Sequence, residues 1–167
     1  GEVDKNWIAI NTFPNTPNAG RIAVIFSVYE DGKDQFRLML SDDHGQTWSA
    51  PRILGNQYPL GAQMMFLPDG SLALLYVRYE DPYDGLVFNP RWRPYLELIR
   101  STDGGIHFGA PVIVDSLIGK QYHDPVARDG FELPSACADR MAGAIFVTYQ
   151  GLTGASTNRP EIGRAHV

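Results

Sequence analysis

A single cysteine, Cys137, in 167 residues excludes an internal disulfide. The four histidines are too scattered for a zinc-ligand spacing, so neither a disulfide scaffold nor a structural metal is expected, and no cofactor is expected either. No apolar run approaches the roughly 20 residues that a membrane-crossing helix needs. Leu72 to Val77, one of the longest, is far short of it, and no membrane span is expected. Positive charge is also sparse: 14 Lys plus Arg stand against 19 Asp plus Glu, a formal charge of -5. Those 14 residues are dispersed, which argues against a nucleic-acid partner, because phosphate neutralisation needs a clustered basic surface. What remains is 44% apolar residues with 17 glycines, enough for one domain with a core. Position 1 is Gly rather than Met, and the start is read as lying inside a longer frame. Ile162 to Val167 can be encoded by ATC GGA AGA GCA CAC GTC, one frame of a widely used sequencing adapter, so 162–167 is expected to be read-through and 1–161 to be protein.

The chain repeats itself. Gly20 opens GRIAVIFSVYEDG, Gly70 opens GSLALLYVRYEDP and Gly143 opens GAIFVTYQG, each a glycine turn followed by an apolar, β-branched and aromatic run. Apolar residues occupy both alternating faces of each run, which predicts three equivalent strands covered on both sides. After the first two come FRLMLSDDHGQTWSAPRIL from Phe36 and LELIRSTDGGIHFGAPVIV from Leu96: an alternating strand, a polar glycine turn, an aromatic and a short strand. Before the three lie WIAINT at Trp7, AQMMFLPDG at Ala62 and LPSACADRMAG at Leu133. Each unit therefore holds four short strands in succession, with no helical periodicity. This pattern predicts an all-β fold, a partial β-propeller of about three four-stranded antiparallel blades over 7–54, 62–114 and 133–161, the last incomplete. An open propeller leaves edges and faces uncovered, so the piece alone is expected to aggregate or partly unfold.

The two turns after the third strands are Ser41-Asp42-Asp43-His44-Gly45-Gln46-Thr47-Trp48 and Ser101-Thr102-Asp103-Gly104-Gly105-Ile106-His107-Phe108. Asp accepts bonds from backbone N–H groups of a tight turn, Gly supplies a positive φ, and the aromatic is expected to anchor the hairpin in the core. The spacing S-x-D-x-G-x-T-W, carried by Ser41, Asp43, Gly45, Thr47 and Trp48, resembles the Asp-box of sialidases and related BNR-repeat propellers. The second copy, Ser101, Asp103, Gly105 and Phe108, departs from it at His107 and Phe108. DKNWIAINTFPNTPNAGRIAVIF and ELPSACADRMAGAIFVTYQ also look like blade openings of bacterial sialidase-family proteins.

The resemblance implies about half of a six-bladed ring. It also implies an exo-acting glycoside hydrolase that removes terminal sialic or related acidic sugars and a secreted, periplasmic or cell-surface location. Its partners would be a glycan or glycoconjugate and the remaining blades. Sialidases use a Tyr nucleophile, paired by resemblance with Glu, an Asp acid/base and three carboxylate-clamping Arg. No position here is matched to these roles. The alternative is a non-catalytic propeller binding glycans or proteins. A sandwich lectin would require the strand repeats to be coincidental.

In an up-and-down blade the Asp-box turns lie on one side and a functional site on the other. The extra chain length falls on that other side, at 79–95, 115–132 and 150–161. Groups that break the repeat are the candidates: Asp84, Arg91, Trp92 and Arg93 in the first of these loops, and His123, Asp124, Arg128 and Asp129 in the second. Arg forks bind carboxylates bidentately and Trp offers a flat face to a sugar ring, so Arg91-Trp92-Arg93 suits an anionic glycan. Tyr29-Glu30-Asp31 and Tyr79-Glu80-Asp81 recur, with Tyr149 in the third unit, and read as structural. His44 and His107 fall in the turns, His166 in the tail, and Cys137 is expected to be a packed thiol.

Overall fold

The protein is described by a computed structural model over residues 2–55, 59–79, 83–84, 87–88, 94–116, 133–153 and 157–165, with the backbone alone for 2, 33, 83–84, 87–88, 150–153 and 157–165. Among the described residues every regular element is a β-strand, and no helix is long and apolar enough to cross a membrane. Strands β1 (Glu2–Ile10), β2 (Ile22–Glu30), β3 (Lys33–Ser41) and β4 (Arg52–Leu54) pair antiparallel in chain order as a first sheet. Strands β5 (Pro59–Phe66), β6 (Leu72–Tyr79), β9 (Pro94–Ser101) and β10 (Val112–Ser116) form a second sheet of the same plan. Between β6 and β9, β7 (Tyr83–Asp84) and β8 (Val87–Phe88) pair as a small ladder within the segment expected as loop. Strands β11 (Ser135–Ala138), β12 (Ile145–Thr153) and β13 (Thr157–Ala165) make the third sheet, three-stranded among the described residues. The first sheet begins ahead of Trp7 because β1 continues across a bulge between Asp4 and Trp7, where Lys5 takes φ 46°.

Local chemistry sets these strands. Asp31 and Gly32, at φ 52° and 76°, are the two residues between the paired Glu30 and Lys33, the positive-φ pair that a tight hairpin demands. Gly70, at φ 82°, serves a second purpose. A Cβ there would lie 2.7 Å from Thr16 Cβ and from Asn18 Oδ1, so only glycine lets the β1–β2 loop sit against it. Asn18 Nδ2 donates to the Gly70 carbonyl at 3.0 Å. Buried Asn11 braces that loop from within, its Nδ2 donating to Thr16 Oγ1, Asn18 O and Asn18 Oδ1.

The second sheet lies between the other two. One of its faces (Ala62, Met64, Phe66, Leu72, Leu74) packs with Ala23, Ile25, Phe36 and Leu38 of the first sheet. The opposite face (Ala73, Leu75, Val77, Leu96, Leu98) packs with Ile145 and Val147 of the third. Accordingly, of the repeated strands β2, β6 and β12, only β6 is covered on both sides among the described residues. In β2, buried Ala23, Ile25 and Ser27 alternate with half-buried Ile22, Val24, Phe26 and Val28, because only one face of the first sheet meets another sheet. The expectation of three doubly covered strands is corrected to one.

The first strand of each sheet faces its neighbour's. Trp7 Nε1 on β1 donates to Met64 O on β5 at 2.9 Å, and Ala136 N on β11 donates to Gln63 Oε1 on β5 at 2.8 Å. Beyond them the β1–β2 and β11–β12 connections meet: Arg140 donates to Thr12 Oγ1 at 3.1 Å and lies 5.1 Å from the centre of the Phe13 ring. The outer two sheets thus touch at one end although the middle sheet separates them elsewhere, an arrangement of converging sheets rather than parallel layers.

Candidate functional site

At one end of the stack the two glycine turns are held by their own side chains. In the first, Ser41 Oγ donates to Asp43 Oδ1 (2.9 Å) and accepts from Gly45 N (2.9 Å), while Asp43 accepts from Thr47 N (2.8 Å) and Thr47 Oγ1 (2.5 Å). The Thr47 hydroxyl, then its amide, hold the Asp43 carboxyl down at about 2. In the second turn Ser101 Oγ donates to Asp103 and accepts from Gly105 N, and Asp103 accepts from the amides of Ile106 and His107. His107, in the place of Thr47, reaches the same carboxylate through Nδ1 at 2.7 Å, so the departure from the repeat keeps the bond. The His107 amide, then Ser101, lower Asp103 well below the usual carboxylate range.

Trp48 does not anchor the first turn in the core as expected. It is 39% exposed, its ring close to where a Gly45 Cβ would stand and its Nε1 donating to Gly45 O at 3.1 Å. The smaller Phe108 does pack against the core between the first two sheets. Arg21 grips Asp42 with two nitrogens, at 2.6 and 2.9 Å, and donates to the carbonyls of Asp103 and Gly104, while Arg52 donates to those of Gly105 and Ile106. The first sheet thereby ties down the second sheet's turn. These are restraining contacts, and every acidic group in them is committed.

A more reactive combination lies between the first two sheets. A cleft of about 660 Å³ is walled by Phe36, Leu54, Ile99 and Phe108, with Tyr76, Arg78 and Glu97 along it. Alternation puts these three on one face: Tyr76 and Arg78 are two apart on β6, and Glu97 is directly opposite Tyr76 on β9. Glu97 is 2% exposed, and its charge is balanced by Arg78 Nε at 2.7 Å and by the Tyr76 hydroxyl, which donates at 2.8 Å. Arg78 also lies over the Tyr95 ring, 4.8 Å from its centre. Burial, then the Glu97 acceptor, push the Tyr76 phenol above its ordinary value. Tyr76 therefore stays protonated and donates. The network positions the phenol, which donates to Glu97, and it ties that carboxylate to Arg78.

Sequence reasoning missed this trio. The signal was available in Glu97, an acid flanked by Leu96 and Leu98, which has to find a partner once its strand is buried. Strand pairing also corrects the alignment of Tyr149. Counted from the turn glycines it matches Tyr76 rather than Tyr79, and it pairs across the ladder with Glu161 as Tyr76 pairs with Glu97. Its hydroxyl donates to Asp115 Oδ2 of the second sheet at 2.7 Å. Of the recurring Tyr pair, Tyr79 is buried and Tyr29 exposed, and Glu30 is bonded to Arg37 at 2.6 Å. Cys137 is exposed, not packed: alternation turns Ala136 and Ala138 toward the second sheet and Cys137 away from it. Arg91, Trp92, Arg93, His123, Asp124, Arg128 and Asp129 lie outside the described residues, and Asp84 is described only by its backbone in β7. No group of three or more His, Cys, Asp or Glu suited to a metal ion occurs among the described residues.

Comparison with known proteins places this sheet arrangement. No family model matches the chain, and no curated protein does. Among solved structures, the chain is similar to the Hadza microbial sialidase Hz136, at 14% identity and a TM-score of 0.60, over 98% of this chain and 31% of that one. It is also similar to an endo-arabinase from Bacteroides thetaiotaomicron, at 15% identity and a TM-score of 0.50, over 89% of this chain and 52% of that one. Both are propeller glycoside hydrolases, and at such identities the likeness is one of fold. The chain spans about a third of the first and about half of the second.

Proposed function

We propose that the chain is part of a sialidase-like β-propeller glycoside hydrolase, in the form of about three of six blades, whose whole removes terminal sialic or related acidic sugars from glycans. The observation that carries this reading is the likeness to a sialidase along 98% of the chain. The serine, aspartate and glycine turns at corresponding places in two sheets support it. The loops opposite those turns are the ligand face in this reading, with Arg91 and Arg93 receiving the sugar carboxylate and Trp92 its ring. The complete catalytic set is assembled from further blades.

One observation favours a second reading, a non-catalytic propeller that binds glycans or proteins through the same face. The described pairing of Tyr with Glu is closed by Arg78, and its cross-strand placement recurs at Tyr149 and Glu161, as a structural element would. Assay of the complete protein on a fluorogenic sialoside and on arabinan separates the two. Sialoside turnover that falls on Arg91→Ala supports the first, arabinan turnover alone transfers the reading to a different glycosidase, and glycan binding without turnover supports the second.

A further inference from the structure

The sequence contains five Asp-Gly pairs, and those at Asp31, Asp69 and Asp103 have described side chains. Such a pair can react with itself: glycine puts no side chain in the way when its amide nitrogen approaches the carboxyl carbon of the aspartate before it. The step requires a carboxyl group and an amide that are not bonded elsewhere. In a folded chain, hydrogen bonding decides which pairs qualify.

The three turns differ in this respect. Asp69 accepts from Ser71 N at 3.0 Å, from Ser71 Oγ at 2.6 Å and from Arg100, and the Gly70 amide donates to Leu67 O at 2.9 Å, so both reacting groups are committed. Asp103 is held by Ser101 Oγ, by the amides of Ile106 and His107 and by His107 Nδ1. The space beside its glycine is also taken, since a Cβ on Gly104 would fall 1.6 Å from Asn18 Nδ2. Asp31 and Gly32 form the tip of the β2–β3 hairpin, beyond the last pair Glu30 and Lys33, and both are exposed. Among the described residues no hydrogen bond or ion pair reaches the Asp31 carboxylate, the Gly32 amide donates to no backbone group, and a Cβ on Gly32 would meet nothing within 4 Å.

From this contrast we infer that Asp31-Gly32 is a site of spontaneous isomerisation to isoaspartate, while Asp69 and Asp103 are spared by their own turns. The Gly32 nitrogen bonds to the side-chain carboxyl carbon of Asp31, the C–O bond to the departing hydroxyl breaks, and one water leaves from a five-membered succinimide. Water then adds at the ring carbonyl that belonged to the main chain and opens it, which leaves the chain running through the side-chain carbon and the former backbone carbonyl as a carboxylate. No mass is gained or lost, and no further reagent is needed. The main chain gains one methylene in a turn whose Asp-Gly geometry sets the hairpin. Phe36 and Leu38, buried opposite Ser27 and Ile25, hold the register, so the change is confined to the pairs nearest the tip. The inference is independent of the glycosidase reading, since it rests on the chemistry of one hairpin.

Ageing the chain in mildly alkaline buffer tests it. Isoaspartate is then labelled with a protein isoaspartyl methyltransferase and a radioactive methyl donor, and the label is assigned by peptide mapping. Asp69 and Asp103 must each lose at least one hydrogen bond to a charged acceptor before reacting, so label at Asp31 is expected to exceed label at either by at least about tenfold in the native chain. In concentrated urea, where the turns are gone, the three peptides are expected to converge. Asp31→Glu, which would need a six-membered ring, removes the label from its peptide with circular dichroism unchanged. Equal labelling of the three in the native chain, Asp69 or Asp103 leading, a ranking that persists in urea, or no native label at Asp31 would each overturn the inference.

Discussion

Glu97→Gln is the sharpest perturbation of the packed stack. It keeps the side chain's size and one acceptor but removes the charge that faces Arg78 at 2.7 Å and Tyr76 at 2.8 Å in a position 2% exposed. Breaking a fully buried ion pair costs about 3–5 kcal/mol. Arg78 retains 17% side-chain exposure, so water recovers part of that loss, and about 2–3 kcal/mol is expected here. For a chain of this size each kcal/mol moves the midpoint by roughly 2–4 °C, so Tm falls by about 5–10 °C. Tyr76→Phe removes one hydrogen bond to a charged acceptor and costs about 1–2 kcal/mol. The double variant loses less than the sum, with a coupling of about 1 kcal/mol, because both groups serve one network. Urea unfolding of the four proteins at one fixed chain concentration measures this. A Glu97→Gln protein within about 0.5 kcal/mol of the parent, or strict additivity, refutes the network as a packing element.

Other expectations follow from the same contacts. Gly70→Ala forces a Cβ at φ 82° to within 2.7 Å of Thr16 and Asn18, whereas Gly32→Ala, at φ 76°, meets nothing within 4 Å. Denaturant titration is expected to show about 1 kcal/mol lost at Gly32 and at least about twice that at Gly70. Trp7→Phe deletes the donor to Met64 O and leaves the ring's apolar bulk, for a loss of about 1 kcal/mol that Trp7→His, with a ring N–H, partly restores. The turn carboxylates set an acid limit. With Asp43 held at about 2 and Asp103 also lowered, their contribution is complete above the ordinary carboxylate value and disappears only as pH falls through the lowered ones. The amide resonance of Thr47 should therefore stay in place from pH 7 down to about 4 and move below it; movement already near pH 5 contradicts the assignment.

The periodicity of the chain carried the fold furthest. The runs after Gly20, Gly70 and Gly143 became β2, β6 and β12, and the polar turns fell between third and fourth strands because the Asp, Gly and Ser chemistry there is local. What depends on neighbours was not legible. Nothing in β2 itself says that one of its faces lacks a covering sheet, so Ile22, Val24 and Phe26 read as core. Trp48 and Phe108 occupy the same motif position, yet their depth is set by the sheet opposite each. Cys137 was misjudged because a short segment with apolar neighbours gives no indication of which alternate face is inside. The Tyr76, Arg78 and Glu97 site needed the β6–β9 register, which a 14-residue connection (residues 80–93) hides from the sequence. The two arginines and the tryptophan of that connection were singled out on chemistry alone, and they remain the groups on which the proposed sugar specificity rests.

Convergence of the sheets toward one centre is the claim on which the rest depends, and the meeting of Arg140 with Thr12 and Phe13 is its signature. Paired cysteines at Thr12 and Arg140, in a Cys137→Ser background and at dilution, should be joined within single chains by a short bismaleimide in near-stoichiometric yield. If the outer sheets instead lie as separate layers on either side of the second, the same reagent will give only unlinked or chain-to-chain product.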